Sequence, residues 1–296
     1  MPPECPATST PIEQLEQALI KKIERGDIEL PLLPQVASQV MALTSDPSAD
    51  AAKLSSLIHQ DQALAAHVLR IANSPAYMPR SPVASLQHAV AMLGINLLSE
   101  IALTTSLKAG AFQVPGHEDT VKQLWRHSLA SGAFAKDVAR TRRVNVESAF
   151  LCGLLHGIGK PVVLRIATTI ARELKIDWVK ALSPILDNKS HLTTLVEGYH
   201  TRVGTLIADK WSLPKQVAEA IQYYGDYEHT TAFRQECMLT FVADRLASHL
   251  LTPEEMPEDS LRDHPVFAEL NLYPNDVDQL LAGKDKVLAI VNALNV

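Results

Sequence analysis

The sequence predicts an all-α protein built from two packed helical subdomains. Three observations carry that expectation. Apolar residues recur at helical spacing over most of the 296 residues. Capping residues, glycines and prolines punctuate these stretches where helices begin and end. No pair of alternating apolar runs flanks a tight turn of the kind that marks a β-hairpin.

The elements follow in order. Thr10-Pro11-Ile12-Glu13 is a capping box with proline at the first helical position. Ile12, Leu15, Leu19 and Ile23 then form one apolar stripe, and Gly26 ends the helix. Pro31-Leu32-Leu33-Pro34 is extended. A short helix with Val36, Val40 and Leu43 inward runs to the break at Asp46-Pro47-Ser48, and the next carries Leu54, Leu57 and Ile58. Asp61 caps a helix that Asn73-Ser74-Pro75 stops, because proline disfavours α geometry in the residue before it. Ser85 starts a helix ending at Gly94, and Asn96 starts one reaching about Leu107.

Residues 110–120 carry Gly, Pro and His without periodicity and read as a linker. Further helices are expected over 121–140, 146–158, 161–173, 192–211, 214–223 and 234–251. The stretch 252–274 is rich in proline and acid, and 275–294 reads as a last helix packed back on the body. The expected organisation is an N-terminal helix over 1–29, a helical subdomain over 30–112, a second over 120–251, and a tail over 252–296.

Composition narrows the function classes. A hydrophobic fraction of 47% with 20% charged residues is that of a soluble globular protein. A net charge of −6 gives no whole-molecule attraction to nucleic acid or an anionic membrane. The local basic cluster Lys136, Arg140, Arg142 and Arg143 lacks interleaved aromatics and reads as a solvated helix end. Cys5, Cys152 and Cys237 show neither zinc-ligand spacing nor a disulfide framework. The first 14 residues hold no apolar signal core, and no run of about 20 continuous apolar residues spans a bilayer. A cytoplasmic protein is expected.

Four polar residues stand where helical spacing predicts an interior. His127 lies on the line Leu124, His127, Ser131, Phe134, Val138. His156 ends the apolar stretch 149–155. His200 shares a face with Val203, Gly204, Ile207 and Trp211, and Asp244 is flanked at helical spacing by Cys237, Phe241, Ala247 and Leu251. A buried carboxylate needs a partner or a metal. Imidazoles with a carboxylate suit one divalent transition metal such as Fe, Mn, Zn or Ni. Each also has a plainer reading: a satisfied core histidine, or for Asp244 an arginine pair or a helix cap.

The segment Leu154-Leu155-His156-Gly157-Ile158-Gly159-Lys160 resembles the metal-binding core of the HD superfamily, whose hydrolases carry His-Asp before an Ile-Gly-Lys-like turn. Here Gly157 stands in the place of the aspartate. His127, then His156 with Lys160, then His200 in His-Thr-Arg-Val-Gly, then Asp244 in Ala-Asp-Arg-Leu-Ala is similar to the order in that superfamily and its HD-GYP branch. The branch would have a His-His pair where this chain has Tyr223-Tyr224. Gly225-Asp226-Tyr227-Glu228 carries no Gly-Tyr-Pro signature. The three losses argue against cyclic-di-GMP hydrolysis.

Upstream, Leu30-Pro31-Leu32-Leu33-Pro34, Asp46-Pro47, the stretch 57–64, Leu69-Arg70-Ile71-Ala72-Asn73-Ser74 and Ala89-Val90-Ala91-Met92-Leu93-Gly94 resemble the HDOD (HD-related output) domain. Gln62 departs from the family's usual proline. The resemblance implies an all-helical regulatory module of bacterial signalling, usually without hydrolase activity, whose second subdomain is an HD-like helical bundle. It also implies a stand-alone copy, since the chain has no room for a receiver.

Three functions follow. The first is non-catalytic signalling through protein–protein contact, with a degenerate metal site. The alternative is a metal-dependent phosphohydrolase with a reduced mononuclear site. In that case His127, His156 and Asp244 act as ligands, with His200 nearby and Lys160 steadying a phosphate. The third is a binding module for a small anionic ligand. Gly157 also has a reading without function, as a residue required by close helix packing or a turn.

Overall fold

The structure, a computed structural model, describes residues 10–44, 51–79, 81–110, 112–176, 191–230 and 232–294. These are helical almost throughout, as expected: α1 (Pro11–Glu24), α2 (Gln35–Thr44), α3 (Ala51–His59), α4 (Gln62–Ala72) and α5 (Leu86–Gly110). Then come α6 (Glu118–Arg142), α7 (Val146–Leu155), α8 (Gly159–Glu173), α9 (His191–Lys210), α10 (Lys215–Tyr223) and α11 (Arg234–Leu251). The chain closes with α12 (Glu258–Arg262), α13 (Val266–Glu269), α14 (Pro274–Ala282) and α15 (Lys284–Leu294). No strand occurs among the described residues.

The Thr10 and Asp61 caps read from sequence are present. Glu13 N donates to Thr10 Oγ1 at 3.3 Å, and Thr10 N donates to Glu13 Oε2 at 2.8 Å. Leu64 N donates to Asp61 Oδ1 at 3.0 Å. The structure adds a cap not read from sequence, with Ser148 N donating to Asn145 Oδ1 at 2.8 Å. Each satisfies an amide left open by the first helical turn and contributes about 1 kcal/mol. Gly94, at φ 78°, breaks α5 where the sequence predicts it. The break expected at Asp46-Pro47-Ser48 and Cys5 lie outside the described residues.

Two packing groups emerge. In the first, α2, α3 and α4 lie on α5. In the second, α6 packs on α7 and α11, and α8 packs on α9. Helix α1 joins the second group, resting on α8 and α9, where Tyr199 Oη donates to Glu16 Oε1 at 2.9 Å. The extended strap after α1 is tied to the same bundle. Trp211 Nε1 donates to Pro31 O and Lys210 Nζ to Leu30 O, both at 2.9 Å, and Arg165 donates to Glu29 O.

The stretch 252–274, read as a tail rich in proline and acid, holds two short helices, α12 and α13, because Leu261, Val266 and Phe267 bury their side chains. Two expectations are corrected. The last helix is two, α14 and α15, separated at Gly283; α15 packs on α6 and α5. Lys136 does not sit on a solvated helix end but lies 2.5 Å from Glu100 Oε2, with each side chain 14% exposed.

By length and mean hydropathy, Leu86–Lys108 and Val146–Glu173 are each apolar enough to cross a membrane. In the second, 89% of the most apolar window is buried inside the protein, as in a core helix.

Candidate metal centre

The site forms where three helices meet, and glycines set how closely they meet. A Cβ at Gly153 of α7 would stand 2.6 Å from Ser131 O and 2.8 Å from Ala135 Cβ on α6. A Cβ at Gly159 would stand 2.0 Å from His200 O and 2.7 Å from Gly204 N on α9. Only glycine permits backbones this close. The turn between these two contacts, residues 156–158, is thereby pressed against α6 and α9. It carries His156 beside His127 of α6 and Asp244 of α11.

Ligand atoms of His127, His156 and Asp244 all lie within 4.8 Å of one another. Both Nε2 atoms turn to the same carboxylate oxygen: His156 Nε2 is 3.1 Å and His127 Nε2 3.6 Å from Asp244 Oδ1. Ligand atoms about 2.1 Å from one ion stand about 3.0 Å apart at octahedral angles and about 3.4 Å apart at tetrahedral ones. The 3.1 Å separation falls between these values and the 3.6 Å separation lies just above them, close to those of neighbouring ligands around a single ion. His156 is fully buried, whereas the side chains of His127 and Asp244 are 23% and 21% exposed, so the site opens to solvent on their side.

The hydrogen bonds show what the site requires. His156 Nδ1 lies 2.7 Å from Gly153 O, an obligate acceptor, so the ring proton belongs on Nδ1. Nε2 is then a lone pair facing a carboxylate oxygen. Two acceptors at that distance need a proton or a cation between them. The donor set, two imidazole nitrogens and one carboxylate oxygen, fits a borderline divalent ion. The backbone bond to Gly153 also fixes His156's orientation, as outer partners of ligand histidines do.

Electrostatics agree. Burial above all, with Lys160 nearby, outweighs the pull of Asp244 and pushes His127 down to about 4, which keeps it a neutral lone-pair donor. Burial works against the charge on Asp244, but its contact with His156 and the positive field at the site, that of Lys160 included, hold its carboxyl well below the usual range and keep it an anionic donor.

The remaining predicted residues occupy a second position. His200 does not join the three donors. Its Nδ1 faces Glu197 O at 2.9 Å, and its Nε2 lies 3.0 Å from Tyr224 Oη. Tyr224 stands between the two histidines, its ring edge-on to His156 with centroids 4.7 Å apart. Tyr223 Oη accepts from Gln222 Nε2 at 2.9 Å. Lys160 Nζ donates to Glu197 Oε1 at 2.9 Å, so an incoming phosphate would compete with a carboxylate for it.

Gly157 is not required by packing. A Cβ there would meet only Lys160 Cδ at 3.7 Å and Ser128 Oγ at 3.9 Å, ordinary contacts, and its φ is not positive. The tight contact belongs to Gly159.

Two participants escaped the sequence reading. Ser248 Oγ lies 3.1 Å from His127 Nε2, and Glu197 pairs with Lys160 while its carbonyl meets His200. Both were detectable, since Ser248 is four residues from Asp244 and Glu197 three from His200, each on a shared helix face.

The family profile of the HDOD domain matches residues 30–227. An uncharacterized protein of Treponema pallidum (strain Nichols) is 25% identical over 205 residues, 68% of this chain and 38% of that protein. The chain thus spans well under half the length of that relative. A candidate metal-dependent phosphohydrolase from Shewanella amazonensis SB2B shares the fold, with a TM-score of 0.71 and 21% identity over 97% of this chain and 100% of that one. An HDOD domain protein of unknown function from Geobacter sulfurreducens gives 0.69 at 25% identity, covering 95% and 98%. A candidate signal transduction protein from Marinobacter aquaeolei VT8 gives 0.66 at 24%, covering 96% of this chain and 66% of that one. With its helical order, its His127–His156–Asp244 cluster and a profile match over more than half its length, this chain belongs to the HDOD domain family.

Proposed function

We propose that this HDOD protein is a non-catalytic signal-transduction regulator of the cytoplasm, acting through protein–protein contacts and holding one divalent metal as a structural remnant. A single observation carries the reading. Three donors converge as for one ion, while the positions that resemble further ligand sites in the HD superfamily and its HD-GYP branch are Gly157 and the pair Tyr223-Tyr224. Gly157 has no side chain, and the Tyr224 phenol is engaged with His200. His127, His156 and Asp244 would hold the ion, and it would tie α6, α11 and the α7–α8 turn together. A bound divalent ion supplies charge stabilisation and an acidified water. Two-metal hydrolysis needs a second ion and residues to hold it.

A second reading, a mononuclear phosphohydrolase, is favoured by the partial exposure of His127 and Asp244, which leaves the site open to a substrate. Elemental analysis of the purified protein beside His156→Ala, combined with assays on a nucleotide and phosphodiester panel, separates the two. The regulator predicts stoichiometric metal lost in the variant and no turnover. Turnover abolished by His156→Ala would establish the hydrolase instead. No metal in either protein would leave His156 and Asp244 as a proton-shared pair and remove the metal from the proposal.

A further inference from the structure

His127 Nε2 faces two oxygens carried by one helix. Asp244 Oδ1 lies 3.6 Å away and Ser248 Oγ 3.1 Å away. Asp244 and Ser248 stand four residues apart on α11, which places both on one face of the helix. Donors at that spacing reach a single ion, as the paired histidines of zinc-binding helices do. The other ring nitrogen of His127 faces the hydroxyl of the fully buried Ser131 at 3.5 Å, so Nε2 is the nitrogen turned to the centre.

A metal bond to His127 uses the same Nε2 lone pair that Ser248 Oγ meets. An arriving ion therefore leaves the hydroxyl two courses, to join the ion or to be displaced. Its separation from Nε2 favours the first. At 3.1 Å it equals that between His156 Nε2 and Asp244 Oδ1, and so matches neighbouring ligands around one ion. A hydroxyl also serves both states of the centre. Without an ion it donates its hydrogen to the Nε2 lone pair, and with one it turns its own oxygen lone pairs to the cation.

We propose that Ser248 is a fourth protein ligand of the centre, its hydroxyl oxygen entering beside His127, His156 and Asp244. The proposal rests on the reading that the centre holds one divalent ion. It gives the ion two imidazole nitrogens and two oxygens, one of them uncharged. Position 248 then helps to set which metal is held. An oxygen there suits a harder ion such as Mn²⁺, whereas a thiolate in its place would favour Zn²⁺.

Cobalt(II) loading of the full chain as wild type, Ser248→Ala, Ser248→Cys and His156→Ala tests it, read by absorption spectroscopy and equilibrium dialysis. His156→Ala fixes the level of adventitious binding. Ser248→Cys is expected to bind cobalt as a thiolate and to add a near-ultraviolet sulfur-to-cobalt charge-transfer band. Cys5, Cys152 and Cys237 are common to both proteins, so a band absent from the wild type reports on position 248. The same variant is expected to shift preference from Mn²⁺ towards Zn²⁺. Ser248→Ala is expected to alter the visible cobalt bands and to weaken binding by about tenfold, a loss that even the outer partners of ligands produce. A residue that only hydrogen-bonds to His127 would give no charge-transfer band. Cobalt-loaded Ser248→Cys without that band, or Ser248→Ala with the wild-type spectrum, would overturn the assignment and leave the three-donor centre standing. No cobalt in the wild type would overturn it together with the metal reading. Ser248→Ala only removes an atom, so its spectrum decides the matter if Ser248→Cys fails to fold.

Discussion

His156 and Asp244 face each other as nitrogen and oxygen 3.1 Å apart, while the opposite nitrogen of His156 is committed to the Gly153 carbonyl. This geometry needs a positive species between them, and it separates the role of charge from that of hydrogen bonding. In Asp244→Asn the amide can donate to His156 Nε2, so the contact survives without its charge. The variant is expected to fold and to melt near the chelator-treated wild type. With the proposed ion, it is expected to lose a gain in stability of about 2.7 kcal/mol when free metal is a hundredfold above Kd. Thermal melts with and without chelator measure this. An unchanged metal-dependent rise in Asp244→Asn would remove Asp244 from the ligand set.

Two glycines two residues apart are expected to respond in opposite ways. Gly159→Ala pushes a methyl group into His200 O, which is backbone and cannot rotate aside. The α8–α9 contact must part, with a loss of about 3 kcal/mol. Gly157→Ala meets only ordinary contacts and leaves stability within about 1 kcal/mol of wild type, because the unfolded chain loses freedom as well. Urea midpoints of the two variants decide whether packing or history explains glycine at each position.

His200 gives the protein an acid-side weakness. Burial, then the charge of Lys160, lowers it from 6.5 to about 4. The unfolded chain therefore takes up the proton first. The stability contributed by neutral His200 is present above its unfolded value of 6.5 and is lost as pH falls toward 4. His127, also lowered to about 4, acts in the same direction. His200→Gln is expected to flatten the pH dependence of the urea midpoint between these values. Tyr224→Phe removes the hydroxyl that donates to His200 Nε2, leaves that lone pair buried and unpaired, and costs about 1–3 kcal/mol near neutral pH.

Local chemistry was legible in the sequence, and pairing between distant elements was not. Thr10 and Asp61 act within one helical turn, so their hydrogen bonds follow from short spacing. The convergence of His127, His156 and Asp244 was readable because three polar residues interrupt three apolar faces. His200 interrupts its face in the same manner, yet Tyr224 holds it, and that depends on where the turn after α10 delivers a phenol. The difference between Gly157 and Gly159 was hidden for the same reason. Both sit in one short motif, and only the crossing of α8 over α9 makes one of them indispensable.

Lys136 was read as surface charge because its partner is 36 residues away, and the pair it forms with Glu100 gives the last prediction. The contact joins α5 to α6, linking the two packing groups, and each side chain is 14% exposed. Burial raises the Glu100 carboxyl above its usual value, and Lys136 pulls it part of the way back. An acid raised on folding contributes stability below its unfolded value that is lost as pH rises through the folded one. Lys136→Met removes the opposing charge, so the raised value climbs further. The variant is expected to lose about 3–5 kcal/mol near neutral pH, and the deficit should shrink as acid protonates Glu100. Glu100→Gln/Lys136→Met leaves no buried charge and is expected to recover most of the loss. Urea denaturation of the three proteins at neutral and mildly acidic pH checks both claims. A deficit independent of pH would mean that Lys136 acts through the packing of its methylenes on Phe150, over whose ring its ammonium lies at 5.5 Å, rather than through its charge.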